Sequence, residues 1–503
     1  MAGRIVQNVM EGVTMRLTRV FRFTVLLAAG LVAMLAGNLL GGEEGKIPIT
    51  TNSDAALQEF LKGRDLFEQL RVQESRQFFK NAVAEDPEFA LAHLYLGQSL
   101  PTATGFFEEL NRAVALKDNV SEGERFWILG LQAGSNGDVV QQEKYYSKLV
   151  AAYPDDERGH VLYGTFLFGQ QRYAEAVSAY NRAVAIDPDH ALAYNMLGYS
   201  HRSMEEYGEA EKAFLKYIEL VPNDPNPHDS YAELLMKMGE YEKSIDHYEK
   251  ALSVNPNFVA SHIGIATNYN FLGDHKEARR QIKAMYANAK DDGQRRAAHF
   301  CTAVSYADQG DLDQALNAVK KQYEIAQKID DKPAMAGDLA LMGQILLEMG
   351  EYDLALIRFE ESVKMTQAAD VSWEVKELAD GVHNFNAGCV ALARGDIATA
   401  REKSKKYSHF AQGLQNPFQV RQAHELAGRI ALEVGDYKLA IAEFEKSNLQ
   451  NPYNIYRMAL AYKGLGQIDE AKKWCRKAAE FNALNSMNMA FVRNKAEKMM
   501  ASM

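Results

Sequence analysis

The sequence is poor in the features that mark catalysis or charge-driven binding. Its 503 residues include three cysteines, Cys301, Cys389 and Cys475, separated by more than eighty residues each time. An odd number at such distances makes neither a disulfide framework nor a metal-ligand spacing. Each falls on a predicted helix, where a small buried apolar role suits it. Basic residues do not dominate, with 56 Lys and Arg against 67 Asp and Glu and a formal net charge of -11. Phosphate neutralisation needs clustered Lys and Arg, so this balance argues against a chain dedicated to nucleic acid. Mild acidity favours solubility and names no partner. No GxSxG or HExxH is present, and the glycines lack the grouped spacing of a phosphate loop. No catalytic residue, metal site or cofactor is therefore expected. What is plentiful is core-forming material: 47% of residues are hydrophobic and 24% charged, as a packed chain requires.

One long apolar run stands apart. Residues 23–40 read FTVLLAAGLVAMLAGNLL without a charge, behind Arg16, Arg19 and Arg22 and ahead of Glu43, Glu44 and Lys46. This is an export segment, either an uncleaved anchor over residues 23–42 or a cleaved signal peptide. Residues 1–22 form its basic flank and residues 43–55 a linker. In both readings the arginines stay inside and the rest of the chain is exported, to the periplasmic face of a membrane or free beyond it.

Although only 12 prolines are present, four of them, Pro154, Pro188, Pro222 and Pro256, are 34 residues apart. A fixed period of this size signals a repeat architecture. Between the prolines small and aromatic residues recur in order. One repeat carries Gly164, Tyr173, Ala176, Tyr180 and Ala183. The next carries Gly198, Tyr207, Ala210, Phe214 and Tyr217, and the third Ala232, Tyr241, Ser244, Tyr248 and Ala251. Spacings of three and four place them on one helix face. The small residues let two helices cross closely, and the aromatic fills the space beside them. Proline stops one helix or begins the next. Glycines extend the pattern: Gly239, Gly273, Gly310, Gly350, Gly395, Gly435 and Gly466 sit where a left-handed helix terminus is needed. Their steps lengthen after Gly273, so the array divides into residues 56–290, mostly of 34-residue repeats, and residues 291–484, of longer ones. A capping helix is expected over residues 485–503.

This pattern resembles the tetratricopeptide repeat superfamily over residues 56–481. The resemblance implies an all-α fold, an α-solenoid wound as a right-handed superhelix of about twelve helix-turn-helix repeats. The arrangement of export segment, linker and repeats is similar to exported bacterial tetratricopeptide arrays. The implied function is a non-enzymatic scaffold whose concave groove holds a peptide or protein partner. A sensory module serving a separate signalling enzyme is the second expectation. In the superfamily the first helix of each pair lines the groove, which here singles out Phe168, Asn195, Tyr199, Arg202, Asp229, Glu233, Met236, Thr267, Asn270 and Phe300. A surface mixing aromatics, an arginine, carboxylates and amides suits a peptide. The sequence departs from the family at the fourth repeat position, where His160, His228 and His262 replace a large aromatic. With His93 they form a column, but its members lie a repeat apart and face a partner helix, so packing roles outweigh metal binding.

Overall fold

A computed structural model of the chain describes residues 45–69 and 71–503. The export segment expected over residues 23–42, with its flank, lies outside the described residues. Among the described residues no helix is long and apolar enough to cross a membrane.

The described residues form 25 α-helices and no strand. The first 24 follow one another as twelve pairs, each helix packed on its neighbour. The N-terminal pairs are α1 (Asp54–Glu68) with α2 (Val72–Glu85), α3 (Ala90–Ser99) with α4 (Ala103–Ala115), and α5 (Glu122–Ser135) with α6 (Val139–Ala152). Then come α7 (Glu157–Gly169) with α8 (Tyr173–Ile186), α9 (Ala191–Ser203) with α10 (Tyr207–Leu220), α11 (Pro225–Lys237) with α12 (Tyr241–Val254), and α13 (Val259–Phe271) with α14 (His275–Ala287). The C-terminal pairs are α15 (Asp292–Gln309) with α16 (Leu312–Lys328), α17 (Lys332–Met349) with α18 (Tyr352–Gln367), and α19 (Trp373–Ala393) with α20 (Ile397–Leu414). The last are α21 (Pro417–Glu433) with α22 (Tyr437–Phe444) and α23 (Pro452–Gly464) with α24 (Ile468–Ala479), before the unpaired α25 (Met487–Ala501).

The small and aromatic residues interlock as their spacing predicts. A Cβ at Gly164 would lie 2.7 Å from the Tyr180 ring, one at Gly198 2.6 Å from Phe214, and one at Gly343 2.6 Å from Phe359. Tyr248 is received by Gly264 of the following pair, where a Cβ would lie 2.0 Å from the ring. These aromatics are almost wholly buried, each contributing about 2–3 kcal/mol of transfer free energy. The turns follow local chemistry. Gly273, Gly310, Gly395 and Gly435 take φ of 77 to 90°, and the Asp after each caps the next helix by accepting from a first-turn amide.

Two features depart from a simple open array. First, the linker is pinned. The Ile47 amide donates to Asp156 Oδ2 at 2.6 Å, Arg158 Nη2 donates to the Ile47 carbonyl at 2.7 Å, and Lys46 pairs with Glu157. Thr50 donates through its amide and hydroxyl to Glu124 at 2.8 and 2.5 Å, and the Thr51 hydroxyl to Asp86 at 2.5 Å. The segment thus runs across the leading ends of successive first helices, at acidic residues about one repeat apart.

Second, the chain returns on itself. Residues in or near the turns within N-terminal pairs meet the C-terminal pairs in the same order, mostly at the leading ends of first helices. Arg76 reaches Asp291, the N-cap of α15, at 3.3 Å, and the Ala103 amide reaches Asp331, the N-cap of α17, at 3.0 Å. Asn136 accepts from Ser372, the N-cap of α19, and the Gly137 carbonyl from Asn416, the N-cap of α21, both at 2.9 Å. Gln171 meets Asn448 at 2.9 Å, Glu205 meets Lys477 at 3.1 Å, and Tyr241 meets Asn482 at 2.9 Å. The helix α25 joins this arrangement. Its Met487, Phe491, Val492 and Ala496 pack with Ala303 and Val304 of α15, Met342 and Ile345 of α17, and Ile455 of α23.

Candidate partner-binding surfaces

The residues expected to line a concave groove are mostly committed to contacts inside the protein. Arg202 Nη1 donates to Glu233 Oε2 at 2.7 Å, and its guanidinium stands 4.7 Å from the Tyr199 ring centroid. The Tyr199 hydroxyl lies 3.1 Å from Glu233 Oε1 and 3.2 Å from Ser230 Oγ. Burial, then the Glu233 charge, raises the Tyr199 phenol well above its ordinary range. Asp229 is 2% exposed and accepts from Ser261 Oγ at 2.6 Å. Burial, and after it Glu233, holds its carboxyl well above the usual carboxylate range.

Asn195, Met236, Thr267 and Asn270 are also buried, Met236 to 1% exposure. The Thr267 hydroxyl turns back onto the Ile263 carbonyl at 2.8 Å. Asn270 Oδ1 accepts from Ser305 Oγ at 2.8 Å, and its carbonyl accepts from Arg493 at 2.9 Å. Phe168 is half-buried and edge-on to Tyr173, with centroids 5.3 Å apart. Phe300 is half-buried against the cluster that holds α25. The structure therefore brings Tyr199, Arg202, Asp229 and Glu233 together around one ion pair. Phe168 and Phe300 make none of those contacts.

The histidine column acts through carbonyls. Nε2 of His93, His160 and His262 each lies 2.9 to 3.0 Å from the carbonyl of the proline six residues earlier, Pro87, Pro154 and Pro256. A histidine at this position thus braces the turn that precedes its own helix. His228 differs: its Nδ1 lies 3.3 Å from Nδ1 of His247. Burial, then Lys250, then His228, pulls His247 down to about 4. The three cysteines are buried and unbridged, and burial pushes the Cys301 thiol up to about 12.

A surface that the sequence did not single out lies across α20, α21 and α22. It is a groove of about 680 Å³, floored by Ala423, Ala427, Ile430 and Ala431 and flanked by Val420 and Leu439. Arg401, Lys405 and His409 stand on one rim. Arg401 and Lys405 form no ion pair among the described residues. Beside it, α22 is only eight residues long. The chain leaves helix after Phe444, where Ser447 Oγ caps the Phe444 carbonyl at 2.7 Å and Asn448 is drawn to Gln171. Serine and asparagine compete with helical hydrogen bonds in this way. The run Lys446-Ser447-Asn448, in place of Lys250-Ala251-Leu252, is the signal that could have marked it.

Comparison with known proteins agrees with the geometry. Family models described as tetratricopeptide repeat match residues 129–191 and 164–225, 232–258, 295–368 and 452–483. Among solved structures, the chain is similar to two of MamA. One is 22% identical over 34% of this chain and 96% of that one, with a TM-score of 0.28. The other is 24% identical over 31% and 91%, with a TM-score of 0.27. It is also similar to a tetratricopeptide repeat protein from Parabacteroides merdae ATCC 43184, 15% identical over 56% and 98%, with a TM-score of 0.36. No curated protein matches the sequence. Over the matched residues, the chain is built of tetratricopeptide repeats.

Proposed function

We propose that the chain is a non-enzymatic scaffold that binds a protein or peptide partner. In this reading the repeats wind as a right-handed superhelix. They stand on the extracytoplasmic, periplasmic side of a membrane, held by residues 23–42 or freed by cleavage there. Repeats of this superfamily are in general interaction modules, and a stack of rigid helix pairs offers a preformed surface whose ordering costs little on binding.

The observation that carries the reading is the open groove over α20 to α22. Its floor is apolar, Leu439 on its flank is 47% exposed, and Arg401 and Lys405 form no ion pair among the described residues, while Asp436 and Glu443 complete the lining. A short amphipathic helix with acidic residues beside its apolar face matches that surface. The Tyr199–Arg202–Glu233 cluster supports the repeats instead, because its charges are already paired.

Two measurements test the proposal. Affinity capture with the full-length chain, compared with Lys405→Glu and Leu439→Asp variants, should recover a partner that both substitutions release. Retention by both variants removes the groove from the reading. A reporter fused after Lys46 should be found outside the cytoplasm; a cytoplasmic reporter overturns the export proposal.

A further inference from the structure

A second cavity, of about 330 Å³, lies on the opposite side of α21, walled by α17, α19, α21 and α23 and roofed by α25. Its charges are unevenly matched. Glu348 is satisfied: its Oε1 accepts from the Tyr453 hydroxyl and its Oε2 from Lys495 Nζ, both at 2.5 Å. Glu425 is satisfied too, accepting from Arg457 Nη1 at 2.9 Å and from Asn454 Nδ2 at 3.0 Å. Arg429 is not. Its single hydrogen-bond partner among the described residues is the Cys389 sulfur at 2.8 Å, and the nearest carboxylate oxygen, on Glu425, is 4.0 Å away. A thiol is a weak acceptor and a poor counter-charge for a guanidinium. The side chain is only 17% exposed, so bulk water does little to solvate it.

The remaining wall is rich in neutral hydrogen-bonding groups, with Asn386, Gln422 and Asn488 facing the same space. Burial, and then Arg429 itself, pulls the neighbouring Arg457 guanidinium below its ordinary value. Two guanidiniums thus share Glu425, Glu348 is taken up by Tyr453 and Lys495, and no carboxylate lies within hydrogen-bond reach of Arg429. We propose that this cavity binds a small free carboxylate, held by the Arg429 fork and the surrounding amides. A planar guanidinium matches a carboxylate with two parallel hydrogen bonds. The volume limits the ligand to a small molecule, and α25 supplies part of its roof through Ser486, Asn488 and Phe491. This site is independent of the scaffold reading, since it lies on the other face of α21 from the open groove.

The cavity holds its own probe, because Cys389 is on its wall. Full-length protein is treated with iodoacetate, which carries a carboxylate, or with neutral iodoacetamide, and labelling is read at each cysteine by peptide mass spectrometry. The ratio of iodoacetate to iodoacetamide labelling at Cys389 should exceed that of free cysteine under the same conditions about tenfold, the scale of one charge-assisted interaction. Succinate should suppress it, and Arg429→Gln should erase the preference while Arg429→Lys keeps part of it. In parallel, succinate and acetate at matched ionic strength should raise the melting temperature saturably in the native protein and not in Arg429→Gln. A ratio equal to that of free cysteine, or a preference that survives Arg429→Gln, overturns the proposal. An equal thermal response to sulfate and chloride overturns the carboxylate assignment. No labelling at Cys389 with no thermal response shows a water-filled cavity only, and overturns it as well.

Discussion

Arg493, on the last helix, grips Asp308, 185 residues earlier, through Nε at 3.1 Å and Nη2 at 2.6 Å. The same guanidinium donates to the carbonyls of Asn270 and Phe271 at 2.9 Å each. One side chain therefore ties α25 to α13 and α15, while the apolar face of α25 fills the space between α15, α17 and α23. Removing one member of a largely buried pair leaves the other charge uncompensated. Arg493→Ala should destabilise the protein by about 3 kcal/mol in urea unfolding. His275, 2.8 Å from Asp308 Oδ2, remains to limit the loss. A change near zero would show that α25 is held by its apolar face alone.

The glycine–aromatic interlock predicts opposite effects for the same substitution. Gly198→Ala drives a methyl against the Phe214 ring, which is fully buried, and should cost about 1–3 kcal/mol by overpacking. Gly337 lies inside α17 with nothing within 4 Å of its would-be Cβ. Gly337→Ala should stabilise by about 0.5–1 kcal/mol, because alanine restricts the unfolded chain and favours helix. Thermal or urea melts of both variants decide it; equal effects would contradict the interlock.

Asp156 gives a local acid response. Burial opposes its ionisation, but Arg158 and the Ile47 amide together hold its carboxyl below the ordinary 3.8. A depressed folded value means that its contribution is present above about pH 4 and is lost as pH falls through the folded value. The clasp on residues 46–51 should therefore loosen in acid. Hydrogen exchange at the Ile47 amide should accelerate over that window, and Asp156→Asn should flatten the response. An Ile47 exchange profile that is the same in both proteins would refute the linkage.

His247 should titrate near 4, not 6.5, in an NMR pH series. Its depressed value makes its contribution full above about pH 6.5, lost progressively as pH falls towards 4. Lys250→Ala should raise it, since that ammonium is the main charge opposing protonation. A titration at 6.5 in the native protein would place the ring in water, away from His228.

The repeats were legible because they are written in local terms. Pro154, Pro188, Pro222 and Pro256 mark a period, Gly198 and Phe214 mark a crossing, and Gly435-Asp436 marks a turn and cap. The position of the candidate groove residues on first helices followed from the same register. Their burial did not, because it depends on segments far away in sequence. Nothing near Asn270 announces Arg493, and nothing near Gly137 announces Asn416. Some signal was present at the C-terminus, since Met487, Met489, Phe491, Val492 and Met499 leave α25 apolar on more than one side, too apolar for a helix with open solvent around it. The open groove was missed because its lining is gathered from three helices whose residues follow the ordinary repeat pattern. A regular pattern implied a full-length second helix after Gly435, and three residues, Lys446 to Asn448, ended it early.

The measurement that bears most directly on the scaffold reading is a cross-link map of the full-length chain captured with its partner. Lysine cross-linking followed by mass spectrometry should join the partner to Lys405, which lines the groove over α20 to α22. The capture should disappear in both the Lys405→Glu and Leu439→Asp proteins, and the Lys405 cross-link in Leu439→Asp, while their helical content is unchanged. Cross-links confined to other faces, or capture indifferent to both substitutions, would contradict the claim that this surface is where the scaffold engages another protein.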